Sequence, residues 1–119
     1  MTSNQNCLFC GIVAGTIPSD TVYADDDVVA FRDIAPQAPT HVLVVPRAHI
    51  DHAGAVVPDD APVVTAMVLA AQKVAALEGI DGPDRGFRLI MNVGPDALNS
   101  VPHLHLHVVG GRPMTWPPG

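Results

Sequence analysis

Short runs of apolar residues along the chain predict five β-strands. Residues 21–24 and 28–32 are β-prone runs joined by three consecutive aspartates, which is typical of a hairpin. Residues 41–46 are continuously apolar, as expected of a strand in the middle of a sheet. Alternation with a period of two residues in 87–92, and again in 103–109, predicts two further strands.

Helical patterns occur in two places. Residues 7–14 are mostly apolar and fit one or two helical turns. A longer helix is predicted to start at Asp59 or Asp60, which can cap its N-terminus, with Pro62 in its first turn. Gly79 is its predicted stop. The apolar stripe of this helix consists of Val63, Met67, Ala70, Val74 and Leu77. The order of helices and strands predicts an α+β fold, an antiparallel sheet with helix packed on one face.

The length of 119 residues suits a single domain. The polar residues 1–6 predict a disordered N-terminal tail, and residues 7–119 form the predicted domain. Glycines and prolines in residues 110–119 exclude a helix or a central strand there, so this segment is expected to be a C-terminal tail.

Charge and hydropathy narrow the classes of partner. The formal net charge is −6, and Lys73 is the only lysine beside scattered arginines. A nucleic-acid partner is therefore not expected, although a single bound phosphate remains possible. No apolar run approaches the roughly 20 residues of a membrane span, and residues 1–6 lack the features of an export signal. We expect a cytoplasmic protein whose two cysteines are free thiols or metal ligands.

Three histidines occupy alternate positions in residues 103–109. Since side chains alternate across a strand, these imidazoles are expected on one face and the intervening apolar side chains on the other. The histidines are His103, His105 and His107, and the apolar residues are Leu104, Leu106 and Val108. Imidazoles in a row are consistent with nucleophilic attack on phosphorus or with a metal site, and less with a purely structural row.

The segment 103–109 resembles the signature of the histidine-triad (HIT) superfamily, which alternates histidine with apolar residues. Residues 31–41, 45–50 and 110–119 resemble the Hint branch of that superfamily, the purine nucleoside phosphoramidases. The likeness extends from residue 7 to residue 119. It implies a HIT-like fold, a sheet continued across a homodimer, and a C-terminal tail that contributes to the dimer.

The resemblance also implies the catalytic roles. His105 corresponds to the nucleophile, and His107 binds the phosphate on the side of the leaving group. His41 lies near the triad, and Ser100 corresponds to a serine that protonates or positions the leaving group.

The implied nucleotide site has three parts. Asn92 corresponds to an asparagine at the phosphate, and Asp33, with Ile34 beside it, corresponds to the acid that holds the ribose hydroxyls. By itself, Asp33 would be interpreted as a turn residue, and Ile12 as ordinary core. The apolar slot for a purine base corresponds to Leu8, Phe9, Ile12 and Phe31, and the remaining implied contacts are Asn99 and Trp116.

The loop before the triad departs from the family pattern. Small residues usually stand where Ala97 and Leu98 lie, and a glutamine where Asn99 lies. Pro102 also removes an N–H just before the last strand. These departures bear on the substrate range and the rate rather than on the nucleophile.

The two-residue spacing of Cys7 and Cys10 is compatible with zinc binding or with redox chemistry. No strand precedes the pair, which disfavours the redox interpretation. The resemblance implies structural zinc held with His49 and His103, while two buried reduced thiols are the alternative. No cofactor is expected to be needed for catalysis.

The sequence therefore predicts an enzyme that hydrolyses nucleoside 5′-phosphoramidates, such as an AMP derivative, through a nucleotidyl-histidine intermediate. A nucleotide-binding regulatory module with weak or vestigial activity is the alternative. A metalloenzyme that uses the triad histidines as ligands is a third hypothesis.

Overall fold

A computed structural model describes residues 7–119, so the predicted tail at residues 1–6 lies outside the described residues. Its central feature is a five-stranded antiparallel sheet in the order β1-β2-β3-β5-β4. This confirms the predicted α+β fold. The strands are β1 (Thr21–Ala24), β2 (Val28–Arg32), β3 (Thr40–Pro46), β4 (Phe87–Ile90) and β5 (Leu106–Gly110).

Two α-helices cover the sheet, α1 (Leu8–Ala14) and α2 (Ala61–Leu77). Helix α1 begins with Cys7 as its cap, whose Sγ accepts a hydrogen bond from the backbone N–H of Cys10 at 3.2 Å. Helix α2 follows a short 3₁₀ turn at Pro58–Asp60 and carries proline in its first turn, as predicted.

The first face of the sheet packs against α2. Five buried residues of the helix, at helical spacing, make this contact: Met67, Ala70, Ala71, Val74 and Ala75. The prediction that Leu77 belongs to the buried stripe is wrong, since it is 63% exposed. Ala71 and Ala75 lie on the buried face together with Met67, Ala70 and Val74, and Leu77 lies outside it.

The segment Pro58–Leu77 has a mean hydropathy of 1.3 and is long enough to cross a membrane by length and composition alone. Its buried side chains, however, belong to the core that α2 shares with β2, β3 and β5. We therefore assign it as the core helix of a globular domain.

The second face of the sheet packs against α1. Because β3 is central, its side chains alternate between the two cores, and the whole strand is buried. Cys7, Phe9 and Cys10 at the start of α1 contact this second face. The residues that they meet on the sheet are Val29, Phe31, Leu43 and Val45.

The last strand is shorter than predicted. It begins at Leu106 rather than at residue 103, so only His107 of the three histidines lies within the strand. β3 continues two residues beyond Val44, the partner of Leu106, but the ladder with β5 stops at that pair. Upstream of that pair, the N–H of Leu104 bonds to the carbonyl of Ile50 in an irregular connection, which cannot continue a ladder.

Candidate active site and metal cluster

The three histidines share one side of the sheet although two of them precede the strand. The rings of His105 and His107 are 5.1 Å apart, and Phe9 of α1 lies edge-on to both His103 and His105. The intervening Leu104, Leu106 and Val108 are buried in the core beneath α2. The histidines and the apolar residues therefore lie on opposite faces as predicted, even in residues 103–105, which precede β5.

His105 is held in one tautomer by its own backbone. Its Nδ1 lies 2.7 Å from the carbonyl oxygen of His103, and a carbonyl can only accept, so Nδ1 carries the proton. The lone pair of the neutral ring is then on Nε2. His105 is 8% exposed, which keeps most of the ring away from bulk water.

A chain of hydrogen bonds fixes the tautomers of the two neighbouring histidines. The backbone N–H of Gln37 donates to His41 Nδ1 at 3.0 Å, so the proton of the neutral His41 ring lies on Nε2. His41 Nε2 then donates to His107 Nδ1 at 2.8 Å. It follows that His107 carries its proton on Nε2, where it can donate to a bound group.

His107 stays neutral at physiological pH. Burial, and then the nearby charges of His105 and His41, lower the pKa of His107 to about 4. Its Nε2 lies 3.5 Å from the side-chain amide of Asn92. The N–H of a neutral His107 and the amide of Asn92 thus face the same space, as a phosphate site requires.

The predicted ribose carboxylate, Asp33, lies at the edge of this group. Its Oδ2 is 3.4 Å from His41 Nε2, and its Oδ1 accepts the backbone N–H of Ala35 at 2.9 Å. The neighbouring Ile34 is fully exposed. The loop at residues 33–39 therefore brings a carboxylate beside His41 and an apolar side chain into solvent.

The four residues predicted to form an apolar slot divide into two pairs. Phe9 and Phe31 are buried, with their rings 5.5 Å apart. Leu8 is 47% exposed, and Ile12 packs partly buried against the core beneath α1. Phe9 and Phe31 thus form the floor of this region, while Leu8 is open to solvent.

The loop before the triad carries an unusual backbone. Leu98 follows a 3₁₀ turn at Pro95–Ala97, has a φ of 60°, and is 86% exposed. Asn99 Oδ1 is buried without a hydrogen-bond partner within residues 7–119, and Ser100 is exposed. This loop connects Asn92 to His103, so both of its ends reach the histidine cluster.

A cavity of about 440 Å³ lies against His41, His107 and Asn92; we call it the triad cavity, although of the three triad histidines its lining includes His107 alone. The C-terminal tail forms another part of its wall, through Thr115 and residues 117–119. Trp116 is 81% exposed and stacks against the guanidinium of Arg88, whose carbon lies 5.9 Å from the ring centre. Gln37, Arg88 and Arg112 also line this cavity, and they were not predicted as site residues because the backbone and the tail bring them there.

A second cluster joins α1 to the histidine row. Cys7 Sγ lies 3.2 Å and Cys10 Sγ 3.4 Å from His103 Nδ1, and Cys10 Sγ lies 3.2 Å from His49 Nδ1. All four potential ligand atoms are within 4.8 Å of one another. The structure therefore brings together the four residues that the sequence predicted as metal ligands.

Both histidines of this cluster present a lone pair to the thiols. His103 Nε2 donates to the carbonyl of Pro46 at 2.9 Å, and His49 Nε2 to Asp51 at 2.9 Å, which leaves each Nδ1 as the acceptor. Burial raises the pKa of the Cys7 thiol and lowers the pKa of His103. Burial opposes a charge on His49, but its hydrogen bonds to Cys10 and Asp51 raise the pKa of this histidine overall. Two imidazoles with fixed outer N–H groups, beside two thiols, form the donor set of a tetrahedral zinc site.

The chain matches known proteins over nearly its whole length. The HIT domain family matches residues 14–114. A "14 kDa zinc-binding protein" of Brassica juncea is 41% identical over 114 residues, which cover 94% of this chain and 98% of that protein.

Solved structures of HIT proteins are also similar to this chain. A HIT family hydrolase from Legionella pneumophila is 46% identical, with a TM-score of 0.92 over 96% of this chain and all of that chain. A histidine triad protein from Clostridium difficile is 39% identical, with a TM-score of 0.89 over 94% of this chain and 96% of that one. From its sequence, fold and site, the chain belongs to the HIT domain family.

Proposed function

We propose that the protein hydrolyses nucleoside 5′-phosphoramidates of the AMP type, with His105 as the nucleophile. The observation that carries this proposal is the hydrogen bond from His105 Nδ1 to the carbonyl of His103 at 2.7 Å. It commits the proton to Nδ1 and leaves the lone pair of Nε2 for attack on phosphorus.

In the first step, the Nε2 lone pair of His105 forms a bond to phosphorus, and the phosphorus–nitrogen bond of the substrate breaks. The leaving nitrogen keeps the electron pair of that bond and takes a proton from solvent, while neutral His107 keeps its Nε2 proton and donates it as a hydrogen bond. In the second step, water attacks phosphorus and releases a proton to solvent, and the bond from phosphorus to His105 breaks with its electron pair returning to Nε2. The products are the free amine and the nucleoside monophosphate.

The surrounding residues suit binding and positioning in this reaction. The N–H of His107 and the amide of Asn92, which lie 3.5 Å apart, can donate to the non-bridging oxygens. Asp33 beside His41 can accept from ribose hydroxyls, and Phe9 with Phe31 supports an apolar base. We include Leu8, Ile12, Ile34, Asn99, Ser100 and Trp116 as the remaining proposed contacts.

The test is steady-state hydrolysis of adenosine 5′-phosphoramidate by the wild type and by His105→Ala. We expect turnover in the wild type and its loss in the variant, with AMP still bound. His52→Gln is the matched control, since His52 lies on the connection after β3, outside both clusters. A wild type that binds AMP without turnover would instead support a regulatory nucleotide-binding module.

A structural zinc ion held by Cys7, Cys10, His49 and His103 is part of the proposal. Zinc would hold the start of α1 against the segment that precedes β5. It takes no part in the two steps of hydrolysis. Metal analysis of protein purified without an affinity tag should find close to one zinc per chain, and much less in Cys7→Ser. A wild type with less than a few tenths of an equivalent would contradict the zinc assignment.

We also propose a cytoplasmic homodimer in which β4 pairs with its copy. β4 is an edge strand, and exposed apolar side chains lie on it and on the outer face of α2. These side chains are Leu89, Val68, Leu69 and Leu77. Light scattering at micromolar concentration should give twice the chain mass, whereas a monomer would refute the dimer. Cys7 and Cys10 do not form a disulfide, as a reducing compartment allows.

A further inference from the structure

A second cavity, of about 470 Å³, lies beside the triad cavity and is lined by three arginines. These are Arg85, Arg88 and Arg112, half of the chain's six cationic residues, and we call the space the arginine cavity. Arg88 and Arg112, together with Met114, line both cavities. The two spaces are therefore adjacent, with guanidinium groups at their boundary.

The fold assembles this cluster from distant segments. β4 pairs with β5 so that Phe87 is opposite Gly110, which sets Arg88 near the start of the tail. A side chain at Gly110 would lie 2.7 Å from Ile80 Cδ1 and 3.1 Å from the carbonyl of Gly86, so the backbone approaches closely here. This close approach brings Arg112 to the same cavity as Arg85.

The positive charge of the arginine cavity is not neutralised within residues 7–119. The chain has a formal net charge of −6, yet this cavity contains three guanidinium groups and a single carboxylate, Asp84. No ion pair within 4.0 Å joins that carboxylate, or any other among the described residues, to the three arginines. A concentrated positive field in an acidic protein favours an anionic ligand.

Backbone contacts orient two of the guanidinium groups and leave donors free. Arg88 Nη2 donates to the carbonyl of Thr115, and Arg112 donates to the carbonyls of Gln37 and Pro113. The side chain of Arg85 makes no hydrogen bond within the described part of the chain. Since a guanidinium has five N–H donors, the cluster retains several that can point at one ligand.

We propose that the arginine cavity is a subsite for an oxyanion carried by the leaving group, a carboxylate or a phosphate beyond the scissile bond. This inference rests on the proposed hydrolysis, because it assigns the leaving group to the side of His107, which lines the triad cavity. From there the shared wall of Arg88 and Arg112 leads into the arginine cavity. Guanidinium groups bind both oxyanions in a bidentate manner.

The kinetic test compares matched substrates that differ only in that charge. AMP linked through nitrogen to glycine is paired with its glycinamide analogue, and AMP linked to phosphoethanolamine is paired with its ethanolamine analogue. We expect kcat/KM to favour the charged member of at least one pair by about tenfold, since charge-assisted hydrogen bonds are the stronger ones. The pair that shows the preference distinguishes carboxylate from phosphate.

Arg85→Gln is the informative variant because Arg85 lines the arginine cavity but not the triad cavity. It should remove most of the preference while leaving the uncharged substrates unchanged. Lys73→Gln, which removes one positive charge on α2, should keep the preference. High salt should weaken the preference in the wild type.

A binding measurement separates this subsite from the hydrolysis itself. Trp116 is the only tryptophan and lies over Arg88, so its fluorescence should report phosphate bound at the arginines. Titration with inorganic phosphate should give a saturable change that Arg85→Gln weakens about tenfold and that His105→Ala retains.

The outcomes distinguish the two proposals. If no substrate is hydrolysed but phosphate binding still depends on Arg85, the proposed function fails and the anion site stands. If Arg85→Gln leaves both the substrate preference and the phosphate titration unchanged, the subsite is overturned while the hydrolase stands. If Arg85→Gln changes the mass measured by light scattering but neither the substrate preference nor phosphate binding, the subsite is also overturned, because the arginines would then lie in the dimer interface.

Discussion

The low pKa of His107 predicts that lowering the pH destabilises the fold through this one residue. The pKa of His107 is lowered to about 4, by burial first and then by the charges of His105 and His41, from an ordinary value of 6.5. As the pH falls below 6.5, His107 becomes protonated in the unfolded chain but stays unprotonated in the folded chain. Stability from this group is therefore complete above pH 6.5 and is lost progressively down to pH 4.

The two pKa values give the size of the effect. Between pH 7 and pH 5, linkage predicts a loss of about 2 kcal/mol in the free energy of unfolding from His107 alone. The geometry agrees with this direction, since Nδ1 of His107 accepts a hydrogen bond from His41 at 2.8 Å. Protonation of Nδ1 would remove the acceptor and break that bond.

Urea unfolding of the wild type and of His107→Gln, at pH 7 and at pH 5, measures this contribution. The wild type should lose about 2 kcal/mol more than the variant over this interval, because the other titrating groups are common to both. Equal losses in wild type and His107→Gln, within about 0.5 kcal/mol, would refute the assignment of a low pKa to this buried histidine.

Two further predictions concern the frame around the site. Leu98→Gly should raise the free energy of unfolding by about 0.5–1 kcal/mol, because the left-handed φ of 60° strains a leucine that is 86% exposed. Ala97→Gly, in the neighbouring 3₁₀ turn, is the control and should lower the free energy of unfolding. Thermal unfolding measures both effects. Glu78→Gln should cost about 1 kcal/mol at pH 7 after solvent screening, since Arg32 binds this carboxylate at 2.7 and 2.9 Å. Arg32 lowers the pKa of Glu78, so the stabilisation from this ion pair is present above the ordinary carboxyl pKa and is lost as the pH falls through the lowered value. In urea unfolding, the stabilities of the wild type and Glu78→Gln should therefore converge in acid. Asp20→Asn should change the free energy of unfolding little at any pH.

Periodicity predicted those parts of the fold in which one face is buried. The residues of β2 and β3 and the sides taken by His103, His105 and His107 were predictable because apolar side chains must leave water, whatever their exact partners. Leu77 was misassigned for a related reason. Spacing alone places it on the stripe, but three of the five buried residues of the helix are alanines, whose small size carries little hydropathy signal.

The chemistry of the site depends on backbone atoms, which sequence patterns do not locate. The tautomer of His105 depends on the carbonyl of His103, that of His41 on the N–H of Gln37, and that of His103 on the carbonyl of Pro46. The arginines, too, are scattered along the sequence. Pairing of β4 with β5 then gathers three of them at one cavity, a consequence of register that no local pattern contains.

His103 connects the two clusters, since its side chain faces the thiols while its carbonyl holds His105. His103 Nδ1 lies 3.2 Å from Cys7 Sγ, and His103 O accepts from His105 Nδ1 at 2.7 Å. A metal ion at the thiols would restrict His103 and so restrict the carbonyl that fixes the tautomer of His105. Its removal should therefore lower kcat through misorientation of His105 without abolishing hydrolysis, because no proposed step passes through the metal. Complete loss of turnover in a folded, metal-free protein would place the metal in the chemistry and contradict this division between a structural cluster and a catalytic one.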